Sequence, residues 1–201
     1  MIEKKSSENE GCCSSNSGCC TPEKNVSTQK KSINIDFLYL DLSVCAPCQG
    51  TESILDEAIK DVTNILEFTG VDVVVNKVNV INEEQAIKYG FVSSPTIRIN
   101  GRDIQLEVKE SHCKTCSDLS GEETDCRVWL YQGGEYNAPP KGMIIEAILK
   151  EVYGGTVSDN TVEEDYVVPN NLKKFYSSLE IKKLKTESPC GCGDANSKGC
   201  C

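Results

Sequence analysis

The sequence Cys45-Ala46-Pro47-Cys48 lies where one predicted element gives way to another. An apolar run from Ile33 to Leu40 precedes it and is typical of a buried strand. A helical pattern from Gln49 to Phe68 follows it. The first thiol of such a pair lies at the positive end of a helix, which stabilises its thiolate, and the second thiol can close a disulfide with it. The spacing therefore predicts an α/β chain with thiol chemistry at a strand-to-helix junction.

Composition limits the classes of function. The chain has 201 residues and a formal net charge of -10, which argues against partners such as nucleic acid and anionic membranes. No apolar run approaches the roughly 18 residues that span a bilayer, and residues 1–31 lack the apolar region of a secretory signal. We therefore expect a cytoplasmic protein. In that reducing compartment, its thirteen cysteines favour metal binding or catalysis over a disulfide framework.

The chain divides into three segments of different composition. Residues 1–32 are polar and predict a disordered, Cys-rich tail, because they cannot bury enough apolar surface to offset ordering entropy. Residues 33–154 hold the apolar periodicity of one domain. Residues 155–201 form a C-terminal extension with a short helix over Asn171 to Glu180 and a flexible Cys-rich end. One face of that helix carries an apolar stripe that we expect to dock on the domain: Leu172, Phe175, Tyr176 and Leu179.

The predicted elements of the domain follow the order β-α-β-α-β-β-α. A β-branched run predicts the second strand, an Asn-Gly turn joins a hairpin, and an amphipathic helix closes the domain. A Cys-rich, turn-rich insertion is expected from Glu107 to Asp125. The predicted elements after the first helix are a strand over Val71–Val80, a helix over Glu83–Tyr89, strands over Thr96–Asn100, Asp103–Leu106 and Arg127–Tyr131, and a helix over Pro140–Val152.

The Cys-x-x-Cys pair and the run Val92-Ser93-Ser94-Pro95-Thr96 together resemble the thioredoxin-like superfamily. The resemblance implies a thioredoxin-like fold, with a central mixed sheet flanked by helices. It implies that Cys45 is the attacking thiolate, that Cys48 is the resolving thiol, and that Pro95 is cis and packs against the pair. Exchange would pass through a mixed disulfide with protein or small-molecule thiols and disulfides. The sequence departs from thioredoxins at Val44, where they have tryptophan, and at Tyr39, where they bury aspartate.

A second group of cysteines lies in the insertion. Cys113, Cys116 and Cys126 lie near the single histidine, His112, and three thiols with a histidine are a ligand set for structural zinc. Three thiolates alone suit a trigonal metalloid such as arsenite. The same thiols can instead form a relay that exchanges with Cys45 and its partner, or a disulfide that staples the loop. These four interpretations remain open from the sequence.

The combined pattern also resembles an uncharacterised thioredoxin-like domain family across about Ile33 to Gly154. The resemblance implies an association with arsenic-resistance genes in anaerobic microbes. The segments that carry the resemblance are Cys45-Ala46-Pro47-Cys48, Ser94-Pro95-Thr96, Glu110-Ser111-His112-Cys113-Lys114-Thr115-Cys116 and Cys126-Arg127-Val128-Trp129.

Adjacent cysteines in the tails predict ion binding. Consecutive Cα atoms are about 3.8 Å apart, whereas unstrained disulfides need roughly 4.4–6.8 Å, so neighbours close poorly on each other. Soft thiolates select soft ions such as Cu(I), Zn(II) or As(III). The Cys-Cys pairs also resemble those of arsenite metallochaperones. The tail cysteines that are candidate ligands are Cys12, Cys13, Cys19, Cys20, Cys190, Cys192, Cys200 and Cys201.

Two functions follow from these patterns. The first is a thiol-disulfide oxidoreductase of thioredoxin type that works in metalloid or redox stress through Cys45 and Cys48. The alternative is a non-enzymatic protein that binds soft metals or arsenite and uses the fold as a scaffold. A third interpretation, an adaptor, has in its favour only the apolar stripe that begins at Leu172.

Overall fold

The structure, a computed structural model, describes residues 31–155 and 166–186. These residues form seven strands and five helices. The strands are β1 (Lys31–Tyr39), β2 (Val71–Asn79), β3 (Thr96–Ile99), β4 (Arg102–Asp103), β5 (Lys109–His112), β6 (Asp125–Tyr131) and β7 (Gly134–Tyr136). The helices are α1 (Ala46–Phe68), α2 (Glu83–Tyr89), α3 (Lys114–Ser120), α4 (Lys141–Tyr153) and α5 (Asn170–Thr186).

β1 lies inside a four-stranded mixed sheet whose strand order is β2-β1-β3-β4. It runs parallel to β2 and antiparallel to β3, with Ile35 opposite both Val75 and Ile99. Successive strand residues point to opposite faces, and the alternate residues Ile33, Ile35 and Phe37 are buried together. The carboxyl end of this central strand leads into the Cys-x-x-Cys segment.

One hydrophobic core covers the Phe37 face of the sheet. Leu55 and Val62 of α1 are seven residues apart, and Ile144 and Ile148 of α4 are four apart, so each pair lies on one helix face. All four are buried in the same cluster as Phe37. Burial of these two helix faces therefore stabilises the sheet from one side.

A second core covers the opposite face of the sheet. Leu38 lies in this cluster, together with Phe91, which follows α2. Leu172 and Phe175 of α5 belong to it, as do the five cysteines in the described residues. Helices thus flank both faces of the mixed sheet, which confirms the expected α/β architecture at that level.

β5, β6 and β7 form a separate three-stranded antiparallel sheet. The Arg127 amide in β6 donates to the Ser94 carbonyl at 2.7 Å and so joins this sheet to the loop before β3. The Gln105 side chain accepts from the Leu130 amide at 2.7 Å and donates to the Val128 carbonyl at 3.1 Å. These bonds fix the position of β6 relative to the main sheet.

The insertion is more ordered than its sequence predicts. Residues 107–125 were expected to be turns, but they contain β5 and α3, and β7 adds a third strand after β6. The partner of β3 is Arg102–Asp103 and not Asp103–Leu106, because Asn100 and Gly101 adopt positive φ and reverse the chain at once. Residues 33–100 agree with the predicted element order to within a few residues at each boundary.

α5 extends from Asn170 to Thr186, beyond the predicted Asn171–Glu180. Leu172, Phe175 and Tyr176 are buried, which confirms that this stripe docks on the domain. Among the helices that the structure describes, none is long and apolar enough to cross a membrane.

Candidate thiolate centre

The turn between β1 and α1 places Cys45 at the N-cap of α1. Asp41 organises this turn, because its carboxylate accepts hydrogen bonds from the Val44 amide at 2.7 Å and the Ser43 hydroxyl at 2.8 Å. The Gln49 side chain donates to the Leu42 carbonyl at 2.8 Å and closes the turn from the helix side. The Cys45 thiol is fully buried, although the turn that carries it lies at the surface.

α3 places a second Cys-x-x-Cys pair against β6. Cys113 is the N-cap of α3 and Cys116 lies one turn later. The Cys113 amide donates to the Thr124 carbonyl at 2.9 Å, and the Ser117 side chain donates to the Cys113 carbonyl at 2.9 Å and accepts from the Thr124 amide. These bonds hold α3 beside the strand that carries Cys126.

Four cysteine sulfurs meet at this place. The Sγ atoms of Cys45, Cys113, Cys116 and Cys126 all lie within 4.8 Å of one another, and all four residues are buried. The Cys116 and Cys126 sulfurs are 3.5 Å apart, and the Cys45 and Cys126 sulfurs are 3.9 Å apart. A zinc–sulfur bond of about 2.3 Å gives a tetrahedral sulfur–sulfur edge of about 3.8 Å. The spacing of these sulfurs is therefore that of a tetrahedral thiolate site, here called the four-cysteine centre.

Cys48 is not one of the four, although it follows Cys45 by one helical turn. Its sulfur lies 3.4 Å from the Ser94 hydroxyl and is fully buried. Cys48 and the four residues of the centre are all free thiols, not disulfides. Cys45 is therefore shared between the Cys-x-x-Cys pair and the centre, whereas its sequence spacing predicted a place in the pair alone.

The thiols of the centre strongly shift one another's acidity. Hydrogen bonds from the Cys116, Cys126 and Cys45 thiols lower the pKa of Cys113. The hydrogen bond with Cys113 is the largest cause that raises the pKa of Cys45 to about 12. The pKa of Cys126 is raised by the same thiolate, and that of Cys48 is raised by its hydrogen bond with Cys45 and by burial.

These shifts run in opposite directions, since the pKa of Cys113 is lowered whereas those of Cys45 and Cys126 are raised. The position of Cys45 at a helix N-terminus predicts a lowered pKa, but hydrogen bonds with the Cys113 and Cys116 thiols raise it. The role of Cys45 as the attacking thiolate stays a prediction.

His112 does not join the centre. It is exposed at the end of β5, and the fourth sulfur of the cluster comes from Cys45, 68 residues before Cys113 in the chain. The three-cysteine group of the insertion is thus confirmed as a spatial cluster, but its partner is a cysteine and not the histidine. Sequence spacing gave no signal for this pairing, since the two segments belong to different elements.

The loop before β3 is hydrogen-bonded to the segments that carry the four-cysteine centre. The Ser94–Pro95 peptide bond is cis and Pro95 is buried, as the resemblance to thioredoxins implies. The Ser94 hydroxyl accepts from the Leu40 amide at 3.1 Å. Arg127, which follows Cys126, forms two hydrogen bonds of 2.8 Å with the Asp103 carboxylate and has a fully buried side chain. This ion pair anchors β6 directly beside the centre.

α5 is hydrogen-bonded to the segment before Cys126 and to the end of α3. The Asn171 side chain accepts from the Asp125 amide at 3.0 Å and donates to the Asp125 carbonyl at 3.0 Å, immediately before Cys126. It also donates to the Glu110 carboxylate at 3.2 Å. Lys182 donates to the Leu119 carbonyl at 2.6 Å, at the end of α3. The apolar stripe of α5 could be predicted from the sequence, whereas these polar contacts could not.

One cavity, of about 220 Å³, opens on the centre and is lined by Cys113 and Cys126 together with Pro47, His112 and Lys114, among others. Two of the four cysteines are therefore within reach of small solutes. A second cavity, of about 330 Å³, is lined by Val44, Thr115, Asp118 and Leu119, and by none of the four cysteines.

The remaining candidate ligands of the sequence analysis lie outside the described residues. They are Cys12, Cys13, Cys19, Cys20, Cys190, Cys192, Cys200 and Cys201.

A comparison with protein families gives one match. The model of a family described as a domain of unknown function, DUF2703, matches residues 33–148, which is more than half of the chain. The chain belongs to the DUF2703 family. The DUF2703 region contains all four residues of the four-cysteine centre and Cys48, whereas α5 follows it. Comparisons with curated proteins and with solved structures give no match.

Proposed function

We propose that this DUF2703 protein binds a soft metal or metalloid ion through Cys45, Cys113, Cys116 and Cys126. The observation that carries the proposal is the approach of four buried sulfurs, from three separate segments, to within 4.8 Å. Thiolates select soft ions, and four of them form the closed tetrahedral shell of zinc sites. The fourth sulfur therefore favours a four-coordinate ion such as Zn(II) over As(III), which the three cysteines of the insertion alone would suit.

The surroundings of the centre support a binding role. Asp41, Ser117, Arg127 and Asn171 hold the ligand segments in place through hydrogen bonds to their backbones or flanking side chains. Such outer partners orient ligands and raise affinity. The five free thiols also fit a reducing compartment such as the cytoplasm, which keeps them available to the ion.

The binding proposal is tested on the full chain with the eight tail cysteines replaced by serine. The reduced protein is titrated anaerobically with Zn(II), Cu(I) and arsenite against a competing chelator or dithiol. We expect one Zn(II) per chain, and a loss of affinity of at least tenfold with Cys126→Ser but not with Cys48→Ser. Equal affinities in the two variants, or no stoichiometric binding of any of the three ions, would contradict the proposal.

We propose thiol-disulfide exchange at Cys45 and Cys48 as a second function. Its support is the position of the pair at the start of α1, the burial of both cysteines, and the contact of the Cys48 sulfur with the Ser94 hydroxyl beside Pro95. These features, together with the strand and helix order, favour a thioredoxin-like identity for the fold. A role in metalloid stress rests on the family resemblance described from the sequence.

A disulfide-reduction assay tests thiol-disulfide exchange separately from ion binding. The ion-free, reduced protein is mixed with a small-molecule disulfide, and the thiols released are counted over time. If Cys45 and Cys48 carry out the exchange, the Cys48→Ser variant should stop at a mixed disulfide on Cys45. The Cys113→Ser variant should still complete the reaction. Completion by Cys48→Ser would show that Cys48 is not the resolving thiol.

A further inference from the structure

The cavity of about 220 Å³, here called the thiol cavity, reaches two of the four ligands of the centre. Cys113 and Cys126 belong to its lining, whereas Cys45 and Cys116 are fully buried and lie outside that lining. Thr115 also lines the cavity, and its hydroxyl lies 3.4 Å from the Cys113 sulfur. An ion that comes through this cavity therefore meets Cys113 and Cys126 before the other two ligands.

An ion bonded to Cys113 and Cys126 alone is only half coordinated. A tetrahedral ion keeps two positions for the ligands that brought it, until Cys45 and Cys116 replace them. Soft ions are held best by thiolates. The thiol cavity is smaller than the roughly 300–1,000 Å³ of pockets for drug-sized ligands, so its volume suits a small thiol.

The charges around the thiol cavity favour an anion. Lys114 is an exposed, cationic residue of the lining. Ala46 and Pro47 also line it, and they begin the 23-residue helix α1, whose N-terminus carries partial positive charge. Arg127 contributes little net charge, because it is paired with Asp103.

The same lining contrasts with the chain as a whole. Among the described residues that form it there is no aspartate or glutamate, although the chain has a formal net charge of -10. A bare divalent cation is repelled by the charges at the cavity, whereas an ion complex with net negative charge is attracted to them. The geometry and the charge thus select the same kind of carrier, a small anionic thiol.

Resting on the proposed function, we propose that the thiol cavity binds a low-molecular-weight thiol that carries carboxylate groups, and that this thiol delivers the soft ion to the four-cysteine centre. The carboxylates pair with Lys114 while the Cys113 sulfur bonds to the ion and one carrier thiolate leaves. Cys126, Cys45 and Cys116 follow in the same way. Each centre thiol that becomes a ligand loses its proton, each released carrier thiolate takes one up, and no oxidation state changes.

The test follows the exchange in reverse, because uptake and release share one route. The full chain with serine at the eight tail cysteines is loaded with Co(II), whose visible absorption bands report its four-sulfur coordination. Excess EDTA then removes the ion in the presence of mercaptosuccinate, which has two carboxylates, or 2-mercaptoethanol, which has none. At equal thiolate concentration we expect mercaptosuccinate to accelerate removal at least about fivefold more, an advantage that shrinks as salt rises from about 0.05 M to about 0.5 M.

A pair of charge-reversal variants locates the effect. Lys114→Glu and Lys60→Glu change the net charge equally, but Lys60 is exposed on α1, 14 residues after Ala46 and about 21 Å farther along the helix. Lys114→Glu should remove most of the advantage of mercaptosuccinate over 2-mercaptoethanol, and Lys60→Glu should keep it. Equal effectiveness of the two thiols, or an advantage that both variants keep alike, would overturn this inference.

A second measurement requires neither the ion nor a variant. The reduced, ion-free protein is alkylated with iodoacetate, an anion, or with neutral iodoacetamide, and modification of Cys113 is quantified by mass spectrometry. We expect the ratio of the iodoacetate rate to the iodoacetamide rate to be at least about threefold higher at Cys113 than for free cysteine. A ratio at or below that of free cysteine would overturn the preference of the cavity for anions.

Failure of the binding proposal would give a different result. If Cys126→Ser shows the same Co(II) spectrum as the parent protein, the centre does not hold the ion, and the delivery that rests on it is overturned as well. If the four-sulfur spectrum is lost with Cys126→Ser but the two thiols are equally effective, this inference alone is overturned.

Discussion

Cys45 and Cys126 are 81 residues apart in the chain, yet their sulfur atoms lie 3.9 Å from each other. This contact brings the first thiol of the Cys45–Cys48 pair into the cluster formed by the insertion. A sulfur atom cannot form a disulfide and serve as a full thiolate ligand at the same time. The two proposed chemistries therefore compete for one atom.

Oxidation should release the ion from the natural sequence. A small-molecule disulfide takes two electrons from Cys45 and Cys48, forms their disulfide, and is itself reduced to two thiols. The centre then loses one of four ligands. We expect release of about one Zn(II) for each Cys45–Cys48 disulfide, measured with a chromophoric chelator and by mass-spectrometric mapping of the disulfide.

The matched variant for this experiment is Cys48→Ser. It keeps all four ligands and removes only the partner that closes the disulfide, so it should retain Zn(II) several-fold longer under the same oxidant. Equal release rates from the natural sequence and Cys48→Ser would show that this disulfide does not control the centre.

The reduced, ion-free protein should lose stability in alkali. The raised pKa values of Cys45, Cys48 and Cys126 mean that the native state keeps protons which the unfolded chain loses. Their contribution is therefore present below an unfolded pKa of about 8.5 and is lost as pH rises toward the folded values. The lowered pKa of Cys113 acts in the opposite direction, but it is one group against three.

Urea unfolding between about pH 8 and pH 10.5, under anaerobic reducing conditions, measures this dependence. Cys48→Ala should make the fall in unfolding free energy shallower by up to about 1.4 kcal/mol per pH unit, since it removes one buried thiol whose pKa is raised. If the unfolding free energy of Cys48→Ala depends on pH as steeply as that of the natural sequence, the raised pKa of Cys48 is contradicted.

The buried Arg127–Asp103 pair should be costly to break on one side only. The Arg127 side chain is fully buried, so Asp103→Ala leaves a guanidinium without its counter-charge and should lower the unfolding free energy by about 3–5 kcal/mol. Arg127→Met combined with Asp103→Leu should cost less than Asp103→Ala alone. A double variant that is as unstable as the single one would show that packing, not the unpaired charge, dominates.

Asn171 should control how fast the centre exchanges its ion. Asn171→Ala removes the hydrogen bonds to Asp125, the neighbour of Cys126, and should lower stability by about 1–3 kcal/mol. We also expect faster loss of Zn(II) to an excess of chelator. Ser177→Ala is the control, because the exposed Ser177 hydroxyl donates to the Lys173 carbonyl within α5. Equal dissociation rates in the two variants would argue against a role for Asn171 in holding the centre.

The main sheet could be predicted from the sequence because its signals are local. Every second residue of β1 is buried, namely Ile33, Ile35 and Phe37. The neighbouring helix α2 also has a local signal, because the Asn82 side chain caps it by accepting from the Gln85 amide at 2.9 Å. α3 could not be predicted in this way. It contains few apolar residues, and its order comes from Lys182 and from the contacts of Ser117 with the chain around it.

Only the part of the candidate site that is local in the chain could be predicted from the sequence. Cys113, Cys116 and Cys126 are close in the chain, so their spacing predicted a group. Cys45 reaches them because the turn after β1 and the strand β6 are both tied to the loop around Ser94, through the Leu40 and Arg127 amides. Such long-range pairing leaves no periodic signal in the sequence.

The most direct test is to count the sulfur atoms around the bound ion. The full chain with serine at the eight tail cysteines is loaded with one equivalent of Zn(II), and its X-ray absorption spectrum is compared with that of the same protein carrying Cys48→Ser. The four-cysteine centre predicts four sulfurs at about 2.3 Å in both proteins, and fewer with Cys45→Ser. Fewer than four sulfurs in the parent protein, or a sulfur lost with Cys48→Ser, would contradict it.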